Sequence, residues 1–583
     1  MRVLLLHPED SPQRGPWAAQ RWDLLVDLGK SSRYWEEAQT KRCGCPVMRA
    51  DCFRKGLEDA KQVREILSAG RGHLIDAEGI DWWDLTCLEF IAGLLTVLAF
   101  RRVSAEIPAS AELWSTRPGW PSNIFALMPG RSLRSFGVGR LARLATGAGH
   151  YAGLFRRFPV TQIKQIFLDK YDSGYQWRSR FTPRKEIRLE PVVIIPTAYG
   201  NVSRMAAAYA QLLPQQPFLM IATRQSAKQL TPSSNVEVRD LAAYAKGDFP
   251  TAEISELLEH WAKLREELCS SPELQLLLRG GLLDPVRGWL RDGVCARNAW
   301  RDVLEREPVS GVLCGDDSNL FTRVPVLLAA RRKIQTVDFH HGAFDGRYLY
   351  KDLPSDVYMA KNEMERDYLL RVCSLPAGKV VIAAPKAVRS STEIRRDRAR
   401  GRTVILFSEP YEAVGMRGDQ VYRELVPGLL QLARENGCRL VIKLHPFESL
   451  ASRRRLVRDI LGPGDLDLVS VLDGPLTNDL ISQAWCGITV ESTTVMDCWE
   501  NGVCCFLCGW LMLSPFDYVQ QYARFGVGEV LHSPEQISEV PARLAKFYNR
   551  PEPALFNTAA DPAMLQRWLT SRVPEPDGAR SAS

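Results

Sequence analysis

The sequence predicts an α/β protein in which two doubly wound, Rossmann-like domains face a cleft, preceded by an N-terminal α/β extension. Three observations favour this fold. Short apolar runs alternate with amphipathic helical patterns between about residues 190 and 550, glycines such as Gly437 and Gly502 stand just past helical patterns, and polar residues follow the apolar runs directly. Repeated strand–helix units give parallel sheets with right-handed crossovers, and glycine is common just after a helix.

The length and composition of the chain limit its class. At 583 residues the chain is too long for one hydrophobic core, and its 45% hydrophobic and 25% charged residues are typical of folded domains. The formal net charge of +7 is modest, and basic residues are interspersed with acidic ones. This pattern argues against a nucleic-acid partner and is compatible with anionic ligands or a membrane surface.

The N-terminal sequence and the cysteines indicate a cytoplasmic protein. Residues 1–8 lack the long apolar core of a signal peptide and predict a strand instead. The most apolar stretch, residues 87–100, contains Glu89 and is too short to span a bilayer, so we expect at most peripheral contact with the inner face of a membrane. The fourteen cysteines fit reduced thiols, and Cys43-Gly44-Cys45 with Cys52 lacks a fourth zinc ligand, so no metal site is predicted.

Shifts in composition divide the chain into five segments. We expect an N-terminal extension over residues 1–185, a first Rossmann-like domain over 186–385 and a second over 403–550. An Arg-, Ser- and Thr-rich linker at 386–402 joins the two domains, and residues 551–583 form a C-terminal segment with a disordered tail.

Regular alternation of short apolar runs and helical patterns predicts the elements of both domains. In the first domain, strands are expected at 191–196, 218–222, 310–314, 336–339, 356–360 and 379–383, and helices at 203–213, 254–269 and 274–282. In the second, strands are expected at 404–408, 440–444, 468–472, 487–490 and 503–507, and helices at 421–436, 449–461, 476–484 and 494–500.

The first 185 residues carry weaker signals. Residues 2–6 predict a strand, and a helix is expected to begin near Trp17. Tryptophans farther along, including Trp82, Trp83 and Trp114, are expected to pack in the core or between domains, and stacking on a sugar is the alternative.

Two polar motifs follow strands of the second domain. Lys443-Leu444-His445-Pro446 ends one strand, and Glu491-Ser492-Thr493-Thr494 joins another to the next helix. Ligands of open α/β sheets bind at the carboxyl ends of strands, and the start of a helix attracts phosphate. Together the motifs predict a pocket for the phosphate of an activated donor, with Ser408-Glu409, after the first strand of this domain, as a further nucleotide contact. The alternative is an ordinary helix cap and ordinary turns.

Two doubly wound domains with a phosphate pocket in the second resemble the GT-B glycosyltransferases. Between about residues 190 and 550, the His-Pro motif and the hydroxyl-rich turn are similar to those of bacterial sialyltransferases, capsular 3-deoxy-octulosonate transferases and teichoic-acid glycerophosphate transferases. The resemblance implies that the second domain binds the donor and the first the acceptor. Within the second domain it implies phosphate contacts from His445, Ser492 and Thr493, Glu491 near the ribose or base, and no required metal.

The same families imply a catalytic base in the first domain. Gly315-Asp316-Asp317-Ser318-Asn319 has the paired acids of the sialyltransferase loop, with Ser318 where glycine is expected. His341, in His340-His341-Gly342, matches the histidine of the glycerophosphate transferases. A carboxylate or an imidazole can deprotonate an acceptor hydroxyl, so Asp316, Asp317, His340 and His341 all stay open as the base. The alternative is that the aspartates only cap the next helix.

The resemblance implies an inverting, metal-independent glycosyltransferase that needs no cofactor beyond its nucleotide-sugar substrate. The expected donor is a sugar activated by a cytidine nucleotide, and the expected acceptor is a surface or capsule polysaccharide or a glycolipid. Two alternatives stay open. One is a sugar-nucleotide epimerase or hydrolase of the two-domain epimerase type, and the other is a non-catalytic polysaccharide-assembly protein, because a fold alone does not grant a function.

Overall fold

The computed structural model of the chain contains three parallel sheets covered by helices. It describes residues 1–136, 182–183, 186–223, 226–227, 230–245, 250–340, 342, 347–386, 397–511, 518–549 and 559–570. We call the three sheets with their helices the N-terminal, middle and C-terminal units. The two doubly wound domains and the α/β extension that the sequence predicts are confirmed, and the extension contains a complete sheet of its own.

The N-terminal unit is a five-stranded sheet in the order β3-β2-β1-β4-β5. Its strands are β1 (Arg2–Leu6), β2 (Leu24–Asp27), β3 (Val47–Arg49), β4 (Glu112–Ser115) and β5 (Leu133–Ser135), and its helices are Arg33–Cys43, Leu57–Ser68, Trp83–Thr86, Ile91–Glu106 and Asn123–Leu127. The helix expected near Trp17 is wrong. Gly15 takes a φ of +123° and Pro16 follows it, so the chain turns here and continues into β2.

The middle unit is a seven-stranded sheet in the order β12-β11-β10-β9-β6-β7-β8. Its strands are β6 (Val192–Thr197), β7 (Phe218–Ala222), β8 (Val236–Asp240), β9 (Val309–Cys314), β10 (Gln335–Phe339), β11 (Val357–Ala360) and β12 (Val380–Ile382). Its helices include Gly200–Gln211, Thr251–Leu268, Pro272–Arg279, Val286–Arg306, Leu320–Arg331, Arg347–Tyr350 and Glu363–Asp367. Strand β8 and the helix Val286–Arg306 are absent from the sequence prediction, since one has a mixed polar pattern and the other contains two glycines.

The C-terminal unit is a six-stranded sheet in the order β15-β14-β13-β16-β17-β18. Its strands are β13 (Thr403–Phe407), β14 (Arg439–Lys443), β15 (Val469–Leu472), β16 (Ala484–Thr489), β17 (Cys505–Cys508) and β18 (Glu529–Leu531). Its helices are Gly418–Glu435, Leu450–Ile460, Asn478–Ser482, Thr494–Glu500, Tyr518–Arg524 and Val540–Asn549. The predicted strands and helices between residues 404 and 507 are all present, with ends that shift by a few residues.

The N-terminal and middle units share one hydrophobic core. Trp83 stacks on Trp261 of the middle unit with ring centroids 6.2 Å apart, and Trp82 fills the space beside Gly293, where an added Cβ would lie 2.3 Å from the indole. Both N-terminal tryptophans are buried, so their predicted packing role is confirmed. Residues on both sides of the boundary expected at residue 185 therefore belong to the same hydrophobic core.

A helical stretch at Trp83–Glu106 is longer than the apolar run suggests. Among the described residues it alone has the length and composition of a membrane-crossing helix, and 72% of its apolar window is buried inside the protein. A core helix meets the same criteria, so this stretch is weak evidence for membrane insertion.

The last described helix, Pro562–Thr570, packs against β9 and β10 of the middle unit. Leu565 and Leu569 are fully buried there. Gly311 in β9 permits this close approach, because an added Cβ would lie 1.9 Å from the Leu569 carbonyl oxygen. The C-terminal segment thus contributes to the core of the middle unit, whereas most of the predicted linker and the predicted tail lie outside the described residues.

Candidate functional site

The predicted site residues lie at the switch points of the two larger sheets. In the C-terminal unit the chain runs outward from β13 to β14 and β15, and then crosses back to β16 on the other side of β13. In the middle unit the same reversal lies between β6 and β9. Ligands of open α/β sheets bind at the carboxyl ends of strands where the order reverses. His445 follows β14, the Glu491–Thr494 turn follows β16, and Asp316 follows β9.

His445 is held so that one ring nitrogen can donate a hydrogen bond. Its Nδ1 accepts the Phe447 N–H at 3.2 Å, so the proton of the neutral ring is on Nε2. Burial, and next the charge of Lys443, lower the pKa of His445, which keeps the ring neutral at pH 7. The main-chain N–H of His445 donates to the Glu448 carboxylate at 3.1 Å. Nε2–H is therefore a fixed hydrogen-bond donor.

Glu448 fixes the histidine loop and is missed by sequence reasoning. Its buried carboxylate accepts from Arg453 Nε at 2.8 Å and from the Tyr422 hydroxyl at 3.2 Å, in addition to the N–H of His445. Ser408 also donates its hydroxyl to Glu448. The sequence signal that could have identified Glu448 is its position, three residues after His445, which directly follows a predicted strand.

Two residues predicted to contact the donor have supporting roles in the structure. The Ser408 hydroxyl is buried between Glu448 and the N–H of His445. The Lys443 ammonium donates to the carbonyls of Leu444 at 3.0 Å and Gly474 at 2.6 Å, so two of its three protons hold main chain. Both residues thus support the loop that carries His445, and their direct contact with a donor stays a prediction.

Glu409 binds the chain at the end of β16, and its predicted contact with a nucleotide stays a prediction. Its Oε1 accepts from the Thr489 hydroxyl at 2.9 Å and from the N–H groups of Val490 at 3.1 Å and Glu491 at 2.8 Å. Burial, and next the charge of Glu491, raise the pKa of Glu409 to about 7. The N–H group of Glu491, which belongs to the predicted phosphate-binding turn, thus already donates to a carboxylate.

The remainder of the turn presents donors. Among the described residues, the N–H groups of Ser492 and Thr493 have no acceptor, while the Ser492 hydroxyl accepts the Thr494 N–H at 3.3 Å. The Thr494 Oγ1 atom is buried and has no hydrogen-bond partner in the part of the chain that the structure describes. The turn therefore offers two backbone N–H donors, those of Ser492 and Thr493, and its side-chain hydroxyls lie beside them.

The two acids of the middle unit differ in environment. Asp317 is fully buried and pairs with Lys351 and with Arg323, whose Nη1 lies 2.9 Å from the carboxylate. The Asp316 carboxylate accepts the Ser318 N–H at 3.0 Å. The helix cap expected of the acids is formed by Asn319, which accepts the Phe321 N–H. Asp317 is thus placed as a structural anion, and Asp316 as the base candidate of this loop.

His340 lies beside Asp316, and the predicted base His341 lies outside the described residues. The Nδ1 of His340 accepts the Gly342 N–H at 3.2 Å, as Nδ1 of His445 accepts from Phe447. Burial lowers the pKa of His340 to about 4, although the charge of Asp316 opposes the shift. His340 is therefore neutral at pH 7.

The middle and C-terminal units meet at these loops. A Cβ added to Gly342 would lie 3.7 Å from the Thr493 methyl group. Lys361 fixes the loop by donating to the Gly342 carbonyl at 2.6 Å and pairing with Glu365 at 3.1 Å. The loop that follows β10 and contains Gly342 thus borders the hydroxyl turn that follows β16. A ligand site between two domains requires such a border.

Comparison with known proteins gives a distant structural likeness. No protein-family model matches the chain, and no curated protein matches it. A UDP-GlcNAc 2-epimerase from Neisseria meningitidis has 14% identity over 62% of this chain and 95% of its own, with a TM-score of 0.39. The calicheamicin glycosyltransferase CalG4 has 14% identity over 65% and 93%, with a TM-score of 0.37. A glycosyltransferase from Rickettsia africae has 9% identity over 62% and 90%, with a TM-score of 0.36. Similarity this low assigns no function.

Proposed function

We propose that the protein is an inverting glycosyltransferase that uses a nucleotide-activated sugar. The observation that carries this proposal is the set of donors around β13: Nε2–H of His445 on one side, and the N–H groups of Ser492 and Thr493 on the other. The strands that carry them, β14 and β16, are two strand spacings apart, or about 10 Å. Such donors stabilise the charge that develops on a departing nucleotide phosphate.

Asp316 is the proposed base. Its carboxylate takes the proton of the acceptor hydroxyl while the hydroxyl oxygen bonds to the anomeric carbon of the donor sugar. The bond from that carbon to the phosphate oxygen breaks, and its electron pair goes to the phosphate, which His445 and the turn bind. The neutral ring of His340 lies next to Asp316 and helps to position it. This step uses no metal and no cofactor.

The motif resemblance supports a cytidine-nucleotide donor and a surface polysaccharide or glycolipid acceptor. The modest positive charge of the chain fits an acidic acceptor, or peripheral binding of the protein to the inner face of a membrane.

Nucleotide binding to the purified chain tests the proposal. We expect CMP, CDP or UDP to raise the melting temperature, because a ligand stabilises the folded state that binds it. His445→Ala should abolish this shift, whereas His532→Ala, an exposed histidine of the same unit, should retain it. Free nucleotide with a lengthened acceptor supports transfer. An isomerised nucleotide sugar would instead identify an epimerase, and a lack of any nucleotide shift would indicate a non-catalytic protein.

A further inference from the structure

The carboxyl edge of the N-terminal sheet docks against the C-terminal unit. Arg417, just before the helix Gly418–Glu435, donates to the Pro8 carbonyl at 2.8 Å and to Asp27 Oδ1 at 2.6 Å. The N–H of Lys30 donates to the Gly415 carbonyl at 2.9 Å. The segment that follows β2 is therefore fixed against the C-terminal unit, and its side chains are brought near the candidate site.

Lys30 and Arg54 are two cations at this junction. The Lys30 side chain is close enough to Arg54 and to Glu491 for their charges to act on it. Asp51 also faces both cations. Burial, and next the charge of Arg54, lower the pKa of Lys30 to about 8. The N-terminal unit thus places positive charge beside the turn that carries Ser492 and Thr493.

Neither cation is neutralised by a direct contact. Within the described parts of the chain, the Lys30 ammonium and the Arg54 guanidinium form no ion pair and no hydrogen bond, and Arg54 Nε is buried without an acceptor. Asp59, a neighbour of Arg54, forms its ion pair with Arg102, whose Nη1 lies 3.1 Å from the carboxylate. Asp51 lies 4.0 Å from Arg49.

This arrangement differs from that of the buried arginines of the described chain. Each of those forms an ion pair with a carboxylate: Arg239 with Glu307, Arg297 with Asp76, Arg323 with Asp317 and Arg453 with Glu448. Two neighbouring cations that no carboxylate contacts directly, with Asp51 and Glu491 acting only from a distance, cost free energy, and an anion bound between them would offset this cost with charge-assisted hydrogen bonds.

We propose that Lys30 and Arg54 form an anion subsite that binds a phosphate or carboxylate group of the substrate, so that the N-terminal unit completes the site. This role rests on the proposed function. The anion has two possible sources: the donor, through a second phosphate or the carboxylate of a sugar acid, and the acceptor, through a phosphate or an acidic sugar.

Calorimetric titration of the full chain with inorganic pyrophosphate tests the pair directly. We expect the wild type to bind pyrophosphate, and Lys30→Met and Arg54→Met each to weaken binding on the order of tenfold, the effect of losing one charge-assisted contact. The matched control is Lys55→Met, since this neighbouring ammonium is exposed and pairs with Glu58 at 3.0 Å. No binding to the wild type, or equal binding by all four proteins, overturns the subsite.

Steady-state kinetics then separates the two sources of the anion. If the anion belongs to the nucleotide-sugar donor, both variants should bind the nucleotide sugar more weakly. If it belongs to the acceptor substrate, nucleotide affinity should be unchanged and the KM for the acceptor should rise. Lys30→Arg should recover part of the loss in either case, which a merely structural role would not predict. Circular dichroism and thermal melting show that each variant is folded, and Lys30→Met decides the result if Arg54→Met does not fold. Pyrophosphate binding without any transfer or nucleotide binding would refute the proposed function and leave the subsite standing.

Discussion

Glu448 Oε2 accepts the main-chain N–H of His445 at 3.1 Å, so a buried carboxylate fixes the loop that carries the proposed phosphate ligand. The same carboxylate accepts from Arg453, which also pairs with Glu412. A loop that is held in this way has little freedom to lose when a nucleotide binds, which favours binding.

Glu448→Ala should therefore damage both stability and binding. It removes a buried partner of Arg453 and of the His445 N–H, and we expect the unfolding free energy to fall by about 2–4 kcal/mol. Urea unfolding measures this loss, and calorimetry with the best nucleotide measures the accompanying loss of affinity. Glu435→Ala, at an exposed position of the same unit, is the control and should change neither. Unaltered nucleotide affinity in a folded Glu448→Ala protein would show that Glu448 does not position His445.

Asp316→Asn and Asp317→Asn should fail in different ways. Asp316→Asn removes the proposed base, so we expect kcat to fall about 10²- to 10⁴-fold with the melting temperature close to that of the wild type. Asp317→Asn leaves Arg323 and Lys351 buried without their shared carboxylate, so the unfolding free energy should fall by about 3–5 kcal/mol. Transfer assays and urea unfolding of both variants check this pair of outcomes. If Asp316→Asn kept wild-type activity, Asp316 would not be the base, and another group of this loop region would have that role.

Glu409 should make stability depend on pH between about 4.5 and 7. Its pKa in the folded protein is about 7, against an ordinary value of 4.5. The folded state therefore holds the proton that the unfolded state releases, and stability falls as the pH rises through this window. In Glu409→Gln this contribution should be absent, so the stability of the variant should decline less with pH than that of the wild type. Denaturant unfolding at several pH values measures the two slopes, and parallel slopes would refute the prediction.

Gly311→Ala should detach the C-terminal helix from the middle unit. The new Cβ would lie 1.9 Å from the Leu569 carbonyl oxygen, a contact that only movement of the helix Pro562–Thr570 can relieve. We expect a loss of about 1–3 kcal/mol and faster proteolysis near this helix. Gly288→Ala is the matched control, because an added Cβ meets no atom within 4 Å there and alanine favours a helix. Equal proteolysis of the two variants would show that the helix does not depend on this contact.

Local patterns in the sequence were sufficient for much of the fold. The buried strands β9, β13 and β14 are short apolar runs between helical patterns, and such runs become parallel strands because only a sheet covered on both faces buries them. Patterns failed where an element lacks a clear period, as in β8 and around Trp17. The sheet edges on which these polar residues lie were also predictable, since parallel strands end together: Asp316 lies on the middle sheet, and His445 and the Glu491–Thr494 turn lie on the C-terminal sheet.

The sequence by itself thus determined that the chain contains two doubly wound domains and which polar loops stand at their ligand-binding edges. Only the tertiary structure decided the role of each side chain in those loops. Arg323 and Lys351 neutralise Asp317, and Lys30 reaches the neighbourhood of Glu491. Glu409 accepts the N–H groups of Val490 and Glu491, which directly follow β16. The physical reason is that these contacts join residues far apart in the chain. Local periodicity sets strands and helices, whereas charge neutralisation and hydrogen bonding between units depend on how the three sheets pack.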